Sequence, residues 1–311
     1  MNWSYSANAV FHRCQRRYFF RTIMASETSN EPDRQEAAFL KRLQTIPFWR
    51  GKVVHEYVQH IAFAVRHHGG SPPLNRVISD LQKRIETDFS FSQQRLYMNK
   101  SNGPGLALFE HEYARPLEPD VPSRVSQEVV AAMTTFLSRP RLFDRLKEPL
   151  TSVEHRIASS LDGTKLVGQL DIVFVWRGSL YVIDLKVQRV PDDHRMQLQV
   201  YAYLMLRQSG LAGYRPDHVK LYDWDLLNNV LTEHAFDQAR YDQTEDFIRS
   251  SVREMRSVVG EGRYRPELME DFALTAEPKY CQFCPFERLC TRLRTGEQLR
   301  FEHASESLPA S

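Results

Sequence analysis

The sequence is poor in cysteine, has almost no net charge and lacks any uncharged apolar run long enough to cross a membrane. Its 41 Lys and Arg residues nearly balance 39 Asp and Glu residues, which leaves a formal net charge of +2. Any affinity for a polyanion must therefore come from local clusters of basic residues. Residues 1–26 are charged and aromatic and do not resemble a secretory signal, so we expect a cytoplasmic protein without disulfides or membrane association.

The four cysteines among the 311 residues are unevenly placed. Cys14 lies near the start, whereas Cys281, Cys284 and Cys290 fall within ten residues near the end. In a chain without a disulfide framework, this arrangement predicts a metal site with four thiolate ligands. Zinc and iron–sulfur clusters both accept four thiolates, and the spacing does not decide between them. Such a site would join an N-terminal helix to a C-terminal one.

Basic and aromatic residues surround these cysteines. The arginines are Arg13, Arg16, Arg17, Arg21, Arg288, Arg292 and Arg294. We expect their guanidinium groups to offset the negative charge of a thiolate site and to reach phosphates. The neighbouring Tyr18, Phe19 and Phe20 could stack on bases, but packing in the core is the stronger expectation.

Two acids and a lysine fall at the ends of a predicted β-hairpin. The order is Asp171, an apolar strand at 172–176, a turn at 177–179, a strand at 180–183, and then Asp184, Leu185 and Lys186. In an antiparallel pair, the two aspartates lie roughly opposite each other and far from the turn, so their carboxylates can share a hard divalent cation. Lys186 shares a face with Asp184 because strand side chains alternate.

This combination of residue types suits hydrolysis of a phosphodiester bond. Mg²⁺ or Mn²⁺ held by carboxylates stabilises charge on phosphate oxygens and lowers the pKa of a bound water. A lysine beside the metal can orient or help deprotonate that water, or stabilise the transition state as a point charge. The alternative is that the acids are ordinary strand-end residues and Lys186 is their solvated partner.

A helix predicted at 194–209, after a turn at 191–193, carries Gln197 and Tyr201 on one face because they are four residues apart. Without the hairpin, both would be interpreted as ordinary helix residues, with Tyr201 half buried.

His55 and Glu154 are further candidates. His55 lies at the edge of the apolar stripe of a helix predicted at 51–67. Glu154 lies in a strand predicted at 151–158, which should pair beside the hairpin. Each could also be a packing or surface residue, and Glu154 is the weaker candidate.

The motif order resembles the RecB-like branch of the PD-(D/E)xK nuclease superfamily. The matching elements are G-x-x-D from Gly168, an apolar strand, I-D-L-K from Ile183 and Q-x-x-x-Y from Gln197. Leu170 stands where the superfamily name has proline. One cysteine before this core and C-x-x-C-P-x-x-x-x-C after it resemble the iron–sulfur subgroup, which includes the CRISPR-adaptation nuclease, AddB and the Okazaki-fragment helicase–nuclease.

This resemblance implies a role for each candidate residue. The implied ligands of Mg²⁺ or Mn²⁺ are His55, Asp171, Asp184 and Leu185; the implied catalytic residues are Asp171, Asp184, Lys186, Gln197 and Tyr201; the implied ligands of a [4Fe–4S] cluster are Cys14, Cys281, Cys284 and Cys290. The equivalents of Gln197 and Tyr201 line the active-site groove in the family.

The expected fold is α/β, a restriction-endonuclease-like mixed sheet flanked by helices, with a helical N-terminal cap and an iron–sulfur site joining the termini. Its expected divisions are a helical region at 1–149, a nuclease core at 150–260, a cysteine segment at 261–300 and a disordered tail at 301–311. Predicted helices lie at 7–23, 32–44, 51–67, 74–91, 123–137, 194–209 and 239–259. Predicted strands lie at 151–158, 165–176, 180–186, 218–222 and 230–235.

The resemblance implies a metal-dependent deoxyribonuclease, an exonuclease or flap-type enzyme that acts on single-stranded DNA ends in repair or phage defence. The sequence has no G-x-x-x-x-G-K-[ST] motif, so movement along DNA would need a helicase or defence-system partner. Two alternatives stay open. The chain could be a non-cleaving nucleic-acid-binding subunit, although both acids and the lysine are retained, or a sequence-specific restriction endonuclease, although no recognition module is evident.

Overall fold

A computed structural model describes residues 2–103, 105–148, 150–187, 194–211, 213–260 and 262–295 of the chain. The turn expected at 191–193 and the tail expected at 301–311 lie outside the described residues. None of the helices in these ranges combines the length and the apolar character that crossing a bilayer requires.

Within the described ranges, six strands form one mixed sheet, and the sequence predicts a mixed sheet with all of them except the first. They are β1 (Asn2–Trp3), β2 (Ser152–Leu161), β3 (Thr164–Trp176), β4 (Ser179–Lys186), β5 (Val219–Asp225) and β6 (Val230–His234). Across the sheet the order is β1-β3-β4-β5-β6, and β2 also pairs with β3. The β1–β3 and β4–β5 pairs are parallel, and the other pairs are antiparallel.

The hairpin of β3 and β4 turns on Arg177 and Gly178, which both have positive φ, 48° and 76°. A two-residue turn with positive φ at both positions matches the right-handed twist of the paired strands, and glycine adopts such a φ at low cost. The three-residue turn expected at 177–179 is therefore one residue too long, because Ser179 already pairs with Trp176.

Helices cover both faces of the sheet. The α-helices are α1 (Tyr5–Arg13), α2 (Gln15–Tyr18), α3 (Pro32–Arg42), α4 (Ile46–His68), α5 (Leu74–Gln93), α6 (Phe109–Glu112), α7 (Val121–Leu137), α8 (Pro140–Leu146), α9 (Arg195–Leu206), α10 (Gln238–Val259) and α11 (Glu287–Thr295). A π-helical turn, Phe19–Met24, continues α2. Short 3₁₀ turns lie at Leu96–Met98, Lys100–Asn102, Ser209–Leu211, Pro216–His218, Pro266–Asp271 and Pro278–Tyr280.

Alternation along β4 separates two apolar cores. Leu180 and Val182 pack in the core that α1, α9 and α10 share, whereas Ile183 and Leu185 pack in the core that α4, α5 and α7 share. Asp184 and Lys186 lie two and four residues after Val182, so their side chains lie on the same face of the sheet, the one that packs against α9. The sheet is thus enclosed between helical layers, and the polar side chains collect where β3 and β4 separate.

The N-terminal helix differs from its prediction. Ser4 caps α1, since its Oγ accepts a hydrogen bond from the backbone N–H of Ala7 at 3.1 Å. The helix expected at 7–23 breaks at Cys14, which has extended φ and ψ of −165° and 108°. The Cys14 thiol then caps α2 by accepting a hydrogen bond from the Arg17 backbone N–H at 3.4 Å.

The start of α4 and the presence of β1 also differ from the prediction. α4 begins at Ile46, five residues before the predicted start, because Pro47 suits the first turn of a helix. β1 was not predicted, since two residues carry no periodic signal and their partners, Lys165 and Leu166, are distant in sequence.

Segments near the two ends of the chain are joined by buried hydrogen bonds. Trp3 Nε1 donates to Ser251 Oγ at 2.7 Å across 248 residues of sequence. Arg16 Nε donates to the carbonyl oxygen of Phe272 at 2.9 Å, and the Arg16 backbone N–H donates to the carbonyl of Ala273 at 3.0 Å. The N-terminal segment is therefore an integral part of the core.

Candidate active site

Asp171 and Asp184 lie side by side on β3 and β4. Ile172 pairs with Ile183, so the next step of the register brings the two aspartates opposite each other. Both are buried, at 9% and 4% exposed. The Leu185 backbone N–H donates a hydrogen bond of 2.6 Å to Asp171 Oδ2, which fixes the orientation of that carboxylate. The two acids thus meet as the sequence predicts, while their catalytic role stays a prediction.

His55 and Glu154 complete a group of donor atoms around Asp171. His55 Nδ1 lies 2.9 Å from Glu154 Oε1 and 3.3 Å from Asp171 Oδ1. Ligand atoms of these three residues all lie within 4.8 Å of one another, and the described chain holds no second group of three His, Cys, Asp or Glu residues this close. Asp184 lies outside the group, and its Oδ2 instead forms an ion pair with Lys186.

Both strands are irregular at this point. Leu170 and Val173 of β3 pack in the same core although they are three residues apart, so the alternation shifts at Asp171. Opposite it in β2, Glu154 has a left-handed φ of 51°. A glutamate at this φ is strained, and such strain is concentrated at functional sites. Gln169 Nε2 donates to Glu154 Oε2 and supports this carboxylate.

The site concentrates negative charge that calls for a cation. Burial raises the pKa of Asp184, and Asp171 raises it further, while Lys186 opposes the shift. Burial alone would lower the pKa of His55, but Asp171 and Glu154 outweigh it and raise that pKa. Without a metal, these carboxylates hold a proton on the imidazole, which a metal ion would displace.

The donor set fits a divalent metal ion. Carboxylate oxygens and one imidazole are ligands that Mg²⁺ and Mn²⁺ accept, and their burial excludes most competing water. The residues that could hold the ion are Asp171, His55, Glu154 and, from the opposite strand, Asp184 with the backbone carbonyl of Leu185. Glu154, the weakest candidate in the sequence, thus becomes one of the best placed, because its contact with His55 depends on a backbone angle that no sequence pattern encodes.

Gln197 and Tyr201 project from α9 over the same face of the sheet. Gln197 Nε2 donates a hydrogen bond of 2.8 Å to Tyr201 Oη. Burial raises the pKa of Tyr201, and the charge on Asp184 raises it further, so the hydroxyl lies within electrostatic reach of the acids. Gly168 permits the close approach of α9, because a Cβ there would lie 3.1 Å from Leu204 Cδ1 and 3.4 Å from Tyr201 Cε1.

One pair beside the site was missed in the sequence. Asp223 of β5 pairs in register with Asp184, and the Nε2 atom of His234 in β6 lies 2.7 Å from Asp223 Oδ2. The charge on Asp223 contributes to the raised pKa of Asp184. Only the parallel pairing of β4 with β5 reveals this neighbour, and no local motif marks it.

The four cysteines come from both ends of the chain to one region. Cys284 is half buried, and burial is the largest cause of its raised pKa. The charges on Cys14 and Cys290 raise this pKa further. Cys14 and Cys281 likewise contribute to the raised pKa of Cys290. No three of the four sulfur atoms lie within 4.8 Å of one another. The structure therefore shows four neighbouring thiols but does not show a metal cluster.

The arginines around the cysteines have mainly structural partners. Arg16 is buried and pairs with Glu270, while Arg292 pairs with Asp33 at 2.8 Å and with Glu36. Arg288 pairs with Glu36 and Glu112, so it too is committed within the protein. The expectation that Arg16, Arg288 and Arg292 reach phosphates is wrong for this reason. Stacking of bases on Tyr18, Phe19 and Phe20 is excluded as well, because each ring is 1% exposed.

A mixed sheet between helical layers, with buried acids and a lysine where two strands separate, defines a restriction-endonuclease-like fold with a candidate metal site. The chain belongs to the PD-(D/E)XK nuclease superfamily, whose family model matches residues 2–291. Membership of this superfamily indicates a metal-dependent nuclease, a hydrolase that acts on nucleic acid. No curated protein sequence matches the chain. A solved structure described as the crystal structure of SSO0001 aligns with 70% of this chain and 96% of its own, at 14% identity and a TM-score of 0.31, a likeness too low to carry an argument.

Proposed function

We propose that the protein is a Mg²⁺- or Mn²⁺-dependent deoxyribonuclease whose active site is centred on Asp171, Asp184 and Lys186. The observation that carries this proposal is the convergence of two buried aspartates with the His55–Glu154 pair at one point of the sheet, in a chain of a nuclease superfamily. A non-cleaving subunit would have no need for this buried charge, which destabilises the fold unless a cation is bound.

Each side chain has a role that follows from its position. Asp171, Asp184 and His55 would hold the metal, with the carbonyl of Leu185 and with Glu154. When bound, the metal ion supplies an activated water and stabilises charge on the phosphate. Lys186 keeps its ammonium beside Asp184, where a point charge stabilises an anionic phosphate.

Gln197 and Tyr201 would position the substrate. Their mutual hydrogen bond restrains both side chains, and a restrained donor loses less entropy when it contacts a phosphate or sugar oxygen. Both lie on α9, on the face of the sheet that also carries Asp184 and Lys186. This arrangement supports a substrate strand that passes beside α9 at the ends of β3 and β4 where the acids lie.

We further propose that Cys14, Cys281, Cys284 and Cys290 hold a [4Fe–4S] cluster, which would place the protein in the RecB-like iron–sulfur subgroup. The proximity of the four thiols supports this, and Arg17 lies close enough to lower the pKa of Cys284. In a tetrahedral zinc site with Zn–S bonds of about 2.3 Å, all four sulfur atoms would lie roughly 3.8 Å apart, whereas no three of them lie within 4.8 Å of one another here. A cubane separates its ligands more widely because they bind four different iron atoms.

The substrate we propose is a free single-stranded DNA end, in DNA repair or phage defence and in the cytoplasm, with a helicase or defence-system partner that supplies the strand. The division into a helical region at 1–149, a core at 150–260 and a cysteine segment at 261–300 belongs to the same proposal, with the helical region covering the hairpin.

The decisive experiment compares Asp184→Asn and Lys186→Met with the wild type on labelled single-stranded DNA in Mn²⁺ and in EDTA. Each substitution should reduce cleavage by roughly 10²–10³-fold or more while circular dichroism stays unchanged. Asp246→Asn, an exposed acid on α10, is the matched control and should cleave normally. Full activity in folded Asp184→Asn protein would place the active site elsewhere.

Linear and covalently closed single strands test the requirement for an end. We expect the linear strand to be degraded much faster than either the closed circle or a blunt duplex. Circles cut as fast as linear strands would replace the exonuclease proposal with an endonuclease.

The cluster is tested by metal analysis of anaerobically purified protein. We expect about four iron and four sulfide per chain, the content of one cubane. Stoichiometric zinc without sulfide would refute the cluster and leave the nuclease proposal intact.

A further inference from the structure

One cavity of the described chain is lined by none of the candidate metal ligands. It has a volume of about 740 Å³ and lies between the end of α3, the start of α4, α5 and the cysteine segment. A smaller cavity of about 370 Å³ shares Arg21, Lys41 and Arg42 with it and extends it. We call the two together the basic groove.

The basic groove carries an excess of positive charge. Its cations are Arg17, Arg21, Lys41, Arg42, Lys52 and Arg84, and its acids are Glu56 and Asp88 in the larger cavity and Glu27 in the smaller one. Arg84 pairs with Asp88 at 2.6 Å and with Glu56 at 3.5 Å, and Lys52 also pairs with Glu56 at 3.7 Å, so both acids of the larger cavity have basic partners. Among the residues that the structure describes, Arg21, Lys41 and Arg42 have no carboxylate partner. Burial lowers the pKa of Arg21, and the adjacent charge of Arg17 adds to the effect.

Two exposed aromatic rings line the same groove. Phe48 on α4 is 64% exposed, and Phe283, between Cys281 and Cys284, is 61% exposed. A single exposed ring is common on protein surfaces, but these two rings line one groove together with cations that have no carboxylate partner. A groove that combines unpaired cations with exposed rings has the composition of a site for single-stranded nucleic acid, in which phosphates meet cations and bases stack on rings.

The groove reaches the candidate active site along α4. Phe48, Lys52 and Glu56 follow at four-residue intervals and so line one side of this helix. His55 comes three residues after Lys52, which is about 4.5 Å along the helix axis, or nearly one turn. A strand that occupied the groove would therefore lie within a few nucleotides of the metal ligands.

We propose that the basic groove binds single-stranded DNA next to the scissile phosphate, with Lys41, Arg42 and Arg21 on phosphates and Phe48 and Phe283 stacked on bases. This inference rests on the proposed nuclease function and names the path by which the strand reaches the site. It also gives the cysteine segment a part in substrate binding, because that segment carries Phe283.

The charge part is tested by binding alone, in EDTA, where no cleavage occurs. A fluorescent oligothymidylate is titrated with wild-type protein and with the double variant Lys41→Gln/Arg42→Gln at several salt concentrations. The slope of log affinity against log salt should fall by about 0.7 for each lost contact with a single strand. Lys83→Gln/Arg253→Gln removes the same charge from exposed positions outside the groove and should leave the slope unchanged.

The stacking part is tested with Phe48→Ala, which should weaken binding of the same probe roughly 5- to 150-fold. Phe63→Ala is the matched control, since Phe63 is a similarly exposed phenylalanine on the same helix and lies outside the groove. Phe48→Trp should bind the probe as tightly as the wild type, because tryptophan also stacks on bases. A purely structural role of Phe48 would not predict this result.

Equal losses in the groove variants and in their controls would overturn the assignment. Tighter binding of duplex than of the single strand would also overturn it, and tighter binding of oligouridylate would replace DNA by RNA. Because cleavage does not enter this assay, a groove that fails the test leaves the roles of Asp184 and Lys186 standing, and loss of those roles leaves the binding result intact.

Discussion

At the scale of single residues, the candidate site works against the stability of the fold. Asp184 is buried beside Asp171, and its raised pKa shows that the neighbouring cation Lys186 does not fully compensate for burial and repulsion. Glu154 adds a strained backbone angle. Both features destabilise the folded protein, which is expected at a functional site and not for residues with a purely structural role. A bound metal ion would offset this loss of stability.

Replacing Asp184 by Asn should raise the free energy of unfolding in metal-free buffer while it removes cleavage. Asn keeps the shape of the side chain and removes the charge that burial and Asp171 disfavour. Because the folded-state pKa is raised, the folded wild type binds the proton more tightly than the unfolded chain, and acidification stabilises it. The advantage of the variant should thus be largest above the raised pKa and shrink towards the ordinary carboxyl value near ~3.9.

Urea unfolding in EDTA at several values between about pH 5 and pH 8 measures this advantage. A variant that is less stable than the wild type at neutral pH would show that the Lys186 ion pair outweighs the repulsion.

Mn²⁺ should raise the melting temperature of the wild type, because a ligand that binds only the folded state stabilises it by about 2.7 kcal/mol at a hundred times its Kd. Glu154→Gln and His55→Gln should each show a smaller rise, since each removes one donor from the group around Asp171. Thermal unfolding with and without Mn²⁺ checks this, with Asp246→Asn as the control. An undiminished rise in both variants would leave Asp171 and Asp184 as the metal ligands.

At the scale of elements, the distance between α9 and the sheet sets the geometry of the site. Gly168 is the position where β3 meets Leu204 and Tyr201 without a Cβ between them. The helix therefore lies as close to the sheet as its side chains allow. Gln197 and Tyr201 are held over the acids by this contact, although neither is bonded to β3.

Gly168→Ala should destabilise the protein by about 1–3 kcal/mol, the usual cost of overpacking, and should lower cleavage because α9 must move away. Gly210→Ala is the control, since a Cβ there meets nothing within 4 Å. Denaturant unfolding and cleavage rates are measured for both. Normal activity in a destabilised Gly168→Ala protein would show that α9 does not position the substrate.

The site divides into a part that the sequence predicts and a part that it does not. The approach of Asp171 to Asp184 follows from a hairpin with a short turn, and Lys186 follows Asp184 by period-two alternation. Gln197 with Tyr201 follows from helical spacing, so all these contacts depend on local rules. Asp223 and β1 depend on pairings between distant segments, and the role of Glu154 depends on its φ. Side-chain patterns do not report these features.

At the scale of the whole molecule, Cys14 occupies the break between two helices and lies near the cysteines of the far end of the chain. Cys14 could act there as a helix cap or as a cluster ligand, and the two roles predict opposite effects of Cys14→Ser on stability. Serine is the better cap, so Cys14→Ser should be neutral or stabilising in cluster-free protein. In protein that carries the cluster, the same change should lower both the melting temperature and the iron content.

Thermal unfolding of anaerobically purified and of chelator-stripped Cys14→Ser protein separates the two roles. The cluster role predicts a loss only in the first preparation. A stabilised variant in both preparations, with unchanged iron, would assign Cys14 to capping alone.

The bond from Trp3 to Ser251 spans 248 residues, and it has a consequence for how the protein is made. A ribosome that adds roughly 5–20 residues per second needs about 12–50 s to produce the partner of the third residue. During that interval the aromatic side chains of the N-terminal segment cannot reach the core they later fill. The newborn chain thus exposes the aromatic side chains of this segment longest, which makes the segment a target for a chaperone during synthesis.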